Sequence, residues 1–163
     1  MTLVFKHMPS PVGRLKLVAG DAGLVAILWE DDHPDRVRLG AMREAADHSI
    51  LAETESQLGD YFAGRRQTFS VPLAFRGSAF QKQVWEALLT IPFGETRTYG
   101  AIARQIGRPS ASRAVGAANG RNPISIVAPC HRVVGSNGAL TGFAGGLAAK
   151  QHLLDHECRH AVL

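Results

Sequence analysis

The chain has 163 residues, of which 45% are apolar and 20% charged, so it is long enough for one compact unit or two small lobes that share a core. No apolar run approaches the ~20 residues of a membrane span, and the N-terminus lacks the basic start and long apolar centre of a secretion signal. The two cysteines, Cys130 and Cys158, are too few for a disulfide framework or a zinc finger, so we expect a cytoplasmic protein with no membrane partner.

The charge is distributed unevenly along the chain. Residues 1–75 contain 8 Lys or Arg and 10 Asp or Glu, a net charge of −2, whereas residues 76–163 contain 10 and 4, a net charge of +6. Cations concentrated in one half favour a polyanion partner for that half, although a basic surface kept for solubility is the alternative interpretation. We place a boundary near Ala74–Gly77, which divides the chain into an N-terminal lobe, residues 1–75, and a C-terminal lobe, residues 76–163.

The N-terminal lobe is predicted to be a small sheet with one helix. Three runs rich in strand formers are separated by Gly-containing turns, and they are Leu3–His7, Leu15–Ala19 and Leu24–Trp29. Asp31–Asp47 is charged and weakly patterned, which predicts a loop with a little helix. Ile50–Phe62 has the apolar spacing of a helix, and Gln67–Leu73 is either another strand or an extended linker.

The C-terminal lobe is predicted to be all-helical. Ser78 can cap a helix running to about Thr90. Thr98 opens a second helix, whose apolar residues recur at i, i+3, i+4 and i+7, and Gly107 ends it. Ser110 can cap a third helix, from Ala111 to about Ala118. Two short helices joined by a Gly-containing turn are typical of a helix-turn-helix unit, with an ordinary helical hairpin as the alternative.

The third of these helices, Ala111–Ala118, carries one long side chain, Arg113, on a surface of Ala, Ser and Gly. Base readout in the major groove requires Asn, Gln, Arg or Lys side chains that reach base edges. A surface of small residues instead allows close approach to the narrow minor groove, where one Arg can act as a wedge in the base stack. This composition favours a scanner of lesions over a sequence-specific regulator. A tightly packed core helix is the alternative.

The segment Ile126–Val134 is an apolar run that contains Pro-Cys-His-Arg. A thiol beside an imidazole can become nucleophilic, because the thiolate is the reactive form and a neighbouring base raises its population. The residues alone leave three functions open. These are group transfer to Cys130, hydrolysis by Cys130, His131 and Glu157, and DNA binding without chemistry, as in a regulator or a lesion sensor.

Several separated motifs agree with one family. They are Asn122-Pro123, Pro129–Gly135, Gly138, Thr141–Gly146, Lys150, Leu153-Leu154 and Glu157. Together they resemble the O6-alkylguanine-DNA alkyltransferases, also called methylated-DNA–protein-cysteine methyltransferases, over about residues 76–157. The N-terminal lobe resembles the family in its length and its small sheet. The resemblance implies an α+β fold in which a small N-terminal antiparallel-sheet, ribonuclease H-like lobe precedes an all-α helix-turn-helix lobe that carries the active site.

The resemblance also implies a reaction. Cys130 would accept the alkyl group of O6-alkylguanine in DNA, irreversibly and once per molecule, after minor-groove binding and base flipping; activity on O4-alkylthymine stays open. His131 would act as general base through a water, with Glu157 orienting it. Tyr99 would donate to guanine N3 and protonate the departing base, and Asn122 would tie the recognition helix to the active-site loop. No cofactor is expected.

Further positions follow from the same resemblance. Residues expected to contact DNA are Tyr99, Gly100, Arg108, Ser110, Ala111, Ser112, Arg113, Ala114, Gly116, Arg121 and Ser136. Of these, Arg113 would replace the extruded base. Residues expected to line the substrate pocket are Asn119, Val133, Phe143, Ala144 and Gly145. Phe143 stands where some relatives have tyrosine, and Gly145 fits a close backbone approach.

The expected partner is double-stranded DNA containing O6-alkylguanine, bound by a monomer; cooperative clustering on DNA stays open. His152, His156 and His160 recur every four residues on a predicted C-terminal helix, a spacing that can bind metal. We interpret them as a solvated helix face, and no metal is expected.

Overall fold

The computed structural model describes residues 2–161. The N-terminal lobe contains four strands and a helix, namely β1 (Leu3–Met8), β2 (Leu15–Ala19), β3 (Leu24–Leu28), β4 (Met42–Glu44) and α1 (Ser49–Phe62). The C-terminal lobe contains α2 (Ala79–Leu88), β5 (Arg97–Thr98), α3 (Tyr99–Gln105), α4 (Ser112–Gly120), a 3₁₀ turn (Cys130–Arg132), β6 (Val133–Val134) and α5 (Leu147–His160). The predicted α+β fold class is confirmed.

The N-terminal sheet has the strand order β3-β2-β1-β4. The pairs β1–β2 and β2–β3 are antiparallel, as predicted, and β4 adds a parallel edge strand to β1. The sequence predicts a loop with a little helix for the segment that contains β4, and the structure corrects this to a short strand. Its three residues, Met-Arg-Glu, have little intrinsic strand preference, so their pairing with Leu3–Phe5 decides their conformation.

The predicted helices of the C-terminal lobe form with small changes at their ends. Ser78 caps α2 through a capping box with Gln81, and the Thr98 side chain caps α3 by accepting from the Ala101 amide at 3.0 Å. The prediction that Ser110 caps the next helix is wrong. The Ala111 amide donates to the Arg108 carbonyl at 2.9 Å in a turn, so α4 begins at Ser112.

The core is shared between the lobes. One buried cluster combines sheet and α1 residues with residues from the loop after α4 and from α5, including Ile27, Leu58, Ile124 and Leu153. A second cluster lies within the C-terminal lobe, where α2, α3 and α4 pack around the segment that contains Cys130. Two short strands, β5 and β6, pair in parallel and connect the start of α3 with the active-site segment. The loop between α4 and α5 is therefore anchored from both lobes.

No helix within residues 2–161 combines the length and apolarity needed to cross a bilayer.

Candidate active site and nucleic-acid interface

The segment before Cys130 folds through two three-residue turns. The Val127 amide donates to the Ser125 carbonyl at 2.9 Å, and Ile126 between them has φ 74°. A β-branched residue at positive φ in a γ-turn is strained, and such strain concentrates at functional sites. The Cys130 amide then donates to the Ala128 carbonyl at 2.8 Å around Pro129 (φ −81°, ψ 66°), an inverse γ-turn. These turns leave Cys130 at the start of the 3₁₀ turn, buried with 4% exposure.

The predicted contact between His131 and Glu157 is present. His131 Nε2 lies 2.7 Å from Glu157 Oε2, and both side chains are buried. His131 Nδ1 has no hydrogen-bond partner within the described part of the chain. Because the carboxylate accepts at Nε2, the ring carries its proton there, and Nδ1 is the nitrogen able to receive another. Burial lowers the pKa of His131, against the opposing effect of Glu157, so the ring is held neutral.

Glu157 receives more donors than the sequence predicted. Arg132 forms a bidentate pair with it, at 2.8 and 2.9 Å, and the Tyr61 hydroxyl donates at 2.6 Å. Burial alone would raise the pKa of Glu157. Hydrogen bonds from His131 and Arg132, together with the positive charge of Arg132, outweigh burial and hold that pKa well below its ordinary range. Glu157 is therefore ionised at neutral pH and fixes the ring of His131.

Arg132 and Tyr61 have structural roles that sequence analysis missed. Arg132 also donates to the Ile91 carbonyl at 2.6 Å, so its guanidinium ties α5 to the end of the α2 segment. An arginine inside an apolar run is itself a signal, because a buried cation requires a partner. Tyr61 comes from α1 and lies 96 positions from Glu157, so no local pattern marks its contact.

The nucleophile lies among polar side chains of the same loop. Burial raises the pKa of the Cys130 thiol, whereas side-chain hydrogen bonds from Asn122 and Ser125 and the positive charges of Arg36 and Lys150 lower it. Asn122 also donates to the Ala128 carbonyl at 2.8 Å and accepts from the Ile124 amide at 3.1 Å. Asn122 thus ties the end of α4 to the segment before Cys130.

Arg36 is a second connection between the lobes that sequence analysis missed. Its guanidinium pairs with Asp32 at 2.7 Å and donates to the carbonyls of Gly120 and Asn122 at 3.1 and 2.9 Å. Gly120 is the last residue of α4, and Asn122 lies two residues beyond it. The loop after β3 therefore holds the end of the helix that leads into the active-site segment.

Two of the expected pocket residues, Val133 and Phe143, pack in the core cluster that contains Cys130. Asn119 and Val133 are buried, and Phe143, Ala144 and Gly145 are half-buried in the loop before α5. Asn119 Nδ2 lies 3.4 Å from the Cys130 carbonyl, which is a long contact for a hydrogen bond. The Val133 carbonyl accepts from buried Lys150 at 2.7 Å.

Tyr99 and Phe143 both pack against the core cluster that contains Cys130. The Tyr99 hydroxyl forms a hydrogen bond with the Thr141 hydroxyl, which connects α3 with the loop between β6 and α5. The Tyr99 ring also borders Gly116 of α4, where an added Cβ would lie 3.7 Å from the tyrosine carbons. Tyr99 therefore belongs to the contact between the two helices of the helix-turn-helix unit and to the rim of the predicted pocket.

The exposed surface of α4 carries small side chains and one cation. Arg113, Ala114, Ala117 and Gly120 face solvent, whereas Val115 is fully buried. The helix thus buries one side in the core and presents an even surface with a single long side chain. This arrangement suits a shallow contact with a groove narrower than a helix.

The remaining expected DNA contacts fall into two groups. Tyr99, Gly100, Ser112 and Ser136 line one open cleft of about 530 Å³, together with Thr98 and Arg104. The other group is exposed or lies near the start of α4, and comprises Arg108, Ser110 and Ala111. Arg121 differs from the rest, because its guanidinium lies 3.4 Å from the carbonyls of Asp35 and Arg36. These positions remain predictions as DNA contacts.

The interpretation of the C-terminal histidines as a solvated face is wrong for His156. That side chain is 3% exposed, and its Nε2 lies 2.8 Å from the Tyr61 carbonyl. It packs against the rings of Tyr61 and His160, with centroids 4.9 and 4.5 Å away. The helix therefore turns this histidine toward α1. Within residues 2–161 no group of three or more His, Cys, Asp or Glu side chains is arranged to hold a metal ion.

Comparison with known proteins agrees with this geometry. Residues 79–159 match the DNA-binding domain of 6-O-methylguanine DNA methyltransferase, and residues 3–75 match the ribonuclease-like domain of the same family. The chain belongs to the 6-O-methylguanine DNA methyltransferase family. Similar curated proteins carry the name methylated-DNA–protein-cysteine methyltransferase.

One such relative, from Mycolicibacterium paratuberculosis, is 49% identical over 157 residues, which cover 96% of this chain and 93% of the relative. Another, from Methanosarcina acetivorans, is 61% identical over 153 residues, covering 91% and 94%. The crystal structure of Mycobacterium tuberculosis OGT in complex with DNA superposes with a TM-score of 0.86 at 45% identity, covering 96% of this chain and 94% of that one. The family resemblance inferred from the motifs is confirmed.

Proposed function

We propose that this protein repairs O6-alkylguanine in double-stranded DNA by moving the alkyl group to Cys130, as the names of its relatives indicate for those proteins. This assignment rests on a buried series of neighbouring side chains at the 3₁₀ turn, consisting of a thiol, an imidazole and a carboxylate. Cys130 and His131 are adjacent there, and His131 is hydrogen-bonded to an ionised Glu157 at 2.7 Å. The proposal divides the chain into a supporting lobe, residues 1–75, and a DNA-binding and transfer lobe, residues 76–163.

The reaction needs a thiolate. His131 Nδ1 takes the thiol proton through one water molecule, because Cys130 and His131 make no direct hydrogen bond among the described contacts. The sulfur then attacks the alkyl carbon in line with the bond to O6. As the carbon–sulfur bond forms, the carbon–oxygen bond breaks and its electron pair stays on guanine. The Tyr99 hydroxyl supplies a proton to guanine N3. Tyr99 is then reprotonated by the proton that His131 took from the thiol.

The base must leave the helix to reach the sulfur. Because Cys130 is 4% exposed and the Tyr99–Thr141 hydrogen bond spans the rim, the loop around Thr141 has to move outward to admit a purine. Base extrusion costs a few kcal/mol, and insertion of Arg113 into the vacated stack offsets part of that cost. The exposed small side chains of α4 allow this helix to approach the minor groove.

We expect the protein to bind DNA mainly through the phosphate groups of the DNA backbone. The Tyr99–Ser136 cleft and Arg108, Arg113 and Arg121 supply donors and positive charge for phosphates. Affinity for duplex DNA should therefore fall steeply with salt and vary little with sequence. Arg121 would have to release the carbonyls that it now contacts in order to reach a phosphate.

The sulfur keeps the group that it receives. A thioether is a poor leaving group at neutral pH, and no second base is placed to displace it in the described site, so each molecule acts once. We propose a monomer in the cytoplasm, a compartment that fits the two free cysteines. The transfer needs no cofactor, since the site supplies its own nucleophile, base and proton donor.

Mass measurement of the intact protein after incubation with an O6-methylguanine duplex tests the assignment. Wild-type protein should gain one methyl group, located on the Cys130 peptide. Cys130→Ser should bind the duplex with unchanged affinity and gain nothing, whereas Cys158→Ser, at the exposed cysteine, should react like wild type. Methyl transfer by Cys130→Ser would refute the assignment. Binding by the wild type without any mass gain would indicate a lesion sensor. Absence of binding would instead favour the alternative function of a cysteine hydrolase.

A further inference from the structure

A cleft of about 450 Å³ lies between the loop after β3, the start of α2 and the end of α4. We call it the arginine cleft, because four arginines and a single carboxylate line it. The arginines are Arg36, Arg38, Arg76 and Arg121, and the carboxylate is Asp35. Of these arginines, only Arg121 belongs to the expected DNA contacts.

Arg36 is already occupied by the protein itself. Its side chain is 11% exposed, and its guanidinium makes four hydrogen bonds, to Asp32 and to two backbone carbonyls at the end of α4. A guanidinium has five N–H donors, so Arg36 retains little capacity for a ligand. Its role in the cleft is to hold the two lobes together.

The other three guanidinium groups have weak partners or none. Arg38 pairs with Asp35 at 3.1 Å, but the two side chains are 78% and 65% exposed, and such a pair is worth little. Arg121 has only the two contacts of 3.4 Å with backbone carbonyls, which are long for hydrogen bonds. Arg76 is exposed and forms no ion pair within residues 2–161.

This composition fits a phosphate ligand. Four arginines face two carboxylates, Asp32 and Asp35, which leaves two positive charges uncompensated. The start of α2 adds no opposing charge, since its first turn contains no acidic residue. A cleft lined by one sign of charge concentrates the potential, and the guanidinium fork matches the oxygen atoms of a phosphate.

The arginine cleft adjoins the expected DNA contacts on two sides. Arg121 directly follows α4, the helix predicted to enter the minor groove. At the start of α2, the guanidinium of Arg108 lies 5.7 Å from the ring centroid of Phe80, and the next residue, Gln81, lines the cleft. This continuity favours phosphates of the same DNA duplex over a free small anion.

The wall beside Arg76 is held in place by packing. The Gln81 side chain accepts from the Ser78 amide at 2.9 Å in the capping box of α2. Gly77 lies so close to Trp85 that an added Cβ would come within 2.6 Å of the indole ring. Because this backbone is already ordered, binding of a phosphate there costs little additional conformational entropy.

We propose that the arginine cleft is a second phosphate-binding site, in which Arg38, Arg76 and Arg121 hold backbone phosphates of the duplex beyond the end of α4. Arg38 and Arg76 lie outside residues 79–159, which match the DNA-binding domain of the family. The site extends the DNA interface onto the N-terminal lobe. This inference rests on the proposed function in so far as duplex DNA is the partner.

The salt dependence of duplex binding tests the site. Fluorescence titration of a labelled, undamaged duplex at several salt concentrations gives the slope of log affinity against log salt. Each phosphate contact contributes about 0.9 to this slope, so Arg38→Ala/Arg76→Ala should make it less steep by about 1–2. Affinity near physiological salt should fall roughly tenfold or more. An affinity and a slope equal to those of wild type would overturn the inference.

A second double variant is the matched control. Arg43→Ala/Arg66→Ala removes the same charge from the N-terminal lobe, at β4 and after α1, and neither residue lines the cleft. Its slope and affinity should stay close to those of wild type. Equal losses in the two double variants would assign the effect to net charge and overturn the inference.

Neutral substitutions in the DNA locate the contact. When single backbone phosphates are replaced by uncharged methylphosphonates, wild-type protein should lose affinity at the phosphates that reach the cleft. Arg38→Ala/Arg76→Ala should lose none at those positions, because the partner side chains are already gone. At phosphates held by α4 both proteins should lose affinity equally. Losses that add up independently at every phosphate would refute the inference.

A small phosphate compound is the other source of the same chemistry, and pyrophosphate serves as the probe. Pyrophosphate should change the thermal midpoints of wild type and Arg38→Ala/Arg76→Ala equally. A stabilisation by pyrophosphate that is lost in this variant, with unchanged duplex affinity, would assign the cleft to small phosphate compounds and overturn the inference. Failure of methyl transfer to Cys130 would refute the proposed function, and it would not affect these titrations, since their duplex is undamaged.

Discussion

At the scale of single residues, the site works because one carboxylate is fixed by several donors. Glu157 accepts from His131, Arg132 and Tyr61 at 2.6–2.9 Å. The sequence motif predicted the partnership of Cys130, His131 and Glu157, since all three lie in the matched segment. It did not predict Tyr61, because that residue is brought in from a distant helix by folding alone.

Tyr99 gives a test at this scale. Tyr99→Phe should slow methyl transfer by about 10²-fold, the lower range for loss of a general acid, with duplex affinity little changed. Single-turnover rates on an O6-methylguanine duplex measure the effect. Thr141→Val removes the same interresidue hydrogen bond but leaves the tyrosine hydroxyl, so it should not slow transfer. Equal slowing by both variants would assign the effect to the loop contact and contradict the proton transfer.

At the scale of elements, the sequence predicts the positions of the helices but not the start of α4 or the strand β4. Apolar spacing located α1, α2 and α3, because a helix is set by neighbours three and four residues apart. The start of α4 was misplaced, since the turn that precedes it is fixed by a hydrogen bond between Arg108 and Ala111. The strand β4 was missed, since only its pairing with a distant strand makes it extended.

The exposed surface of α4 makes a prediction about groove binding. Ala117→Leu places a bulky side chain on this surface and should weaken duplex binding about tenfold, ~1.4 kcal/mol, with an unchanged thermal midpoint. Ala52→Leu is the matched control, because Ala52 is an exposed helical alanine on α1. Fluorescence titration with a labelled duplex measures both affinities. Undiminished binding by Ala117→Leu would exclude α4 from the interface.

The contact of α5 with α1 predicts a pH dependence of stability. Burial lowers the pKa of His156 and of His131, so the folded state holds both rings neutral. The unfolded chain takes up these protons below its ordinary histidine pKa of about 6.5. The stabilisation is therefore present above about pH 6.5 and is lost as the pH falls toward the lowered folded values.

Urea unfolding between about pH 7 and about pH 5 measures this loss. The free energy of unfolding should fall over that interval. His156→Phe should reduce the slope, since the new ring fits the aromatic cluster and the Tyr61 carbonyl still accepts from the Gly64 amide at 3.0 Å. A slope that is unchanged in the variant would show that His156 does not contribute.

At the scale of the whole molecule, the two lobes are coupled through the site. Trp29, Arg36 and Tyr61 reach from the N-terminal lobe to Ser125, Asn122 and Glu157, respectively. The family motifs lie in the C-terminal lobe, so sequence analysis left the N-terminal lobe without a role in the chemistry. The structure shows that this lobe holds the active-site residues in place, through contacts between residues more than 80 positions apart.

The burial of Cys130 predicts the behaviour of the spent protein. Cys130 is 4% exposed, so a methyl group added to its sulfur overfills the surroundings, and such overpacking costs about 1–3 kcal/mol. The thermal midpoint of stoichiometrically methylated protein should therefore fall by roughly 2–10 °C for a chain of this size. Calorimetry before and after reaction with a methylated duplex measures the change, with unmodified DNA as control. An equal or higher midpoint would show that the pocket already has room for the group.

The pairing of Arg132 with Glu157 has a consequence for electroneutrality. In the resting site the guanidinium and carboxylate cancel, while the imidazole and thiol are uncharged. Moving the thiol proton to His131 creates one cation and one anion, so the sum over these four side chains is still zero. Once the sulfur has become a thioether, the four carry one surplus positive charge. When a proton passes from these side chains to the departing guanine, their net charge returns to zero. Repair of the base and loss of the surplus positive charge therefore occur in the same step.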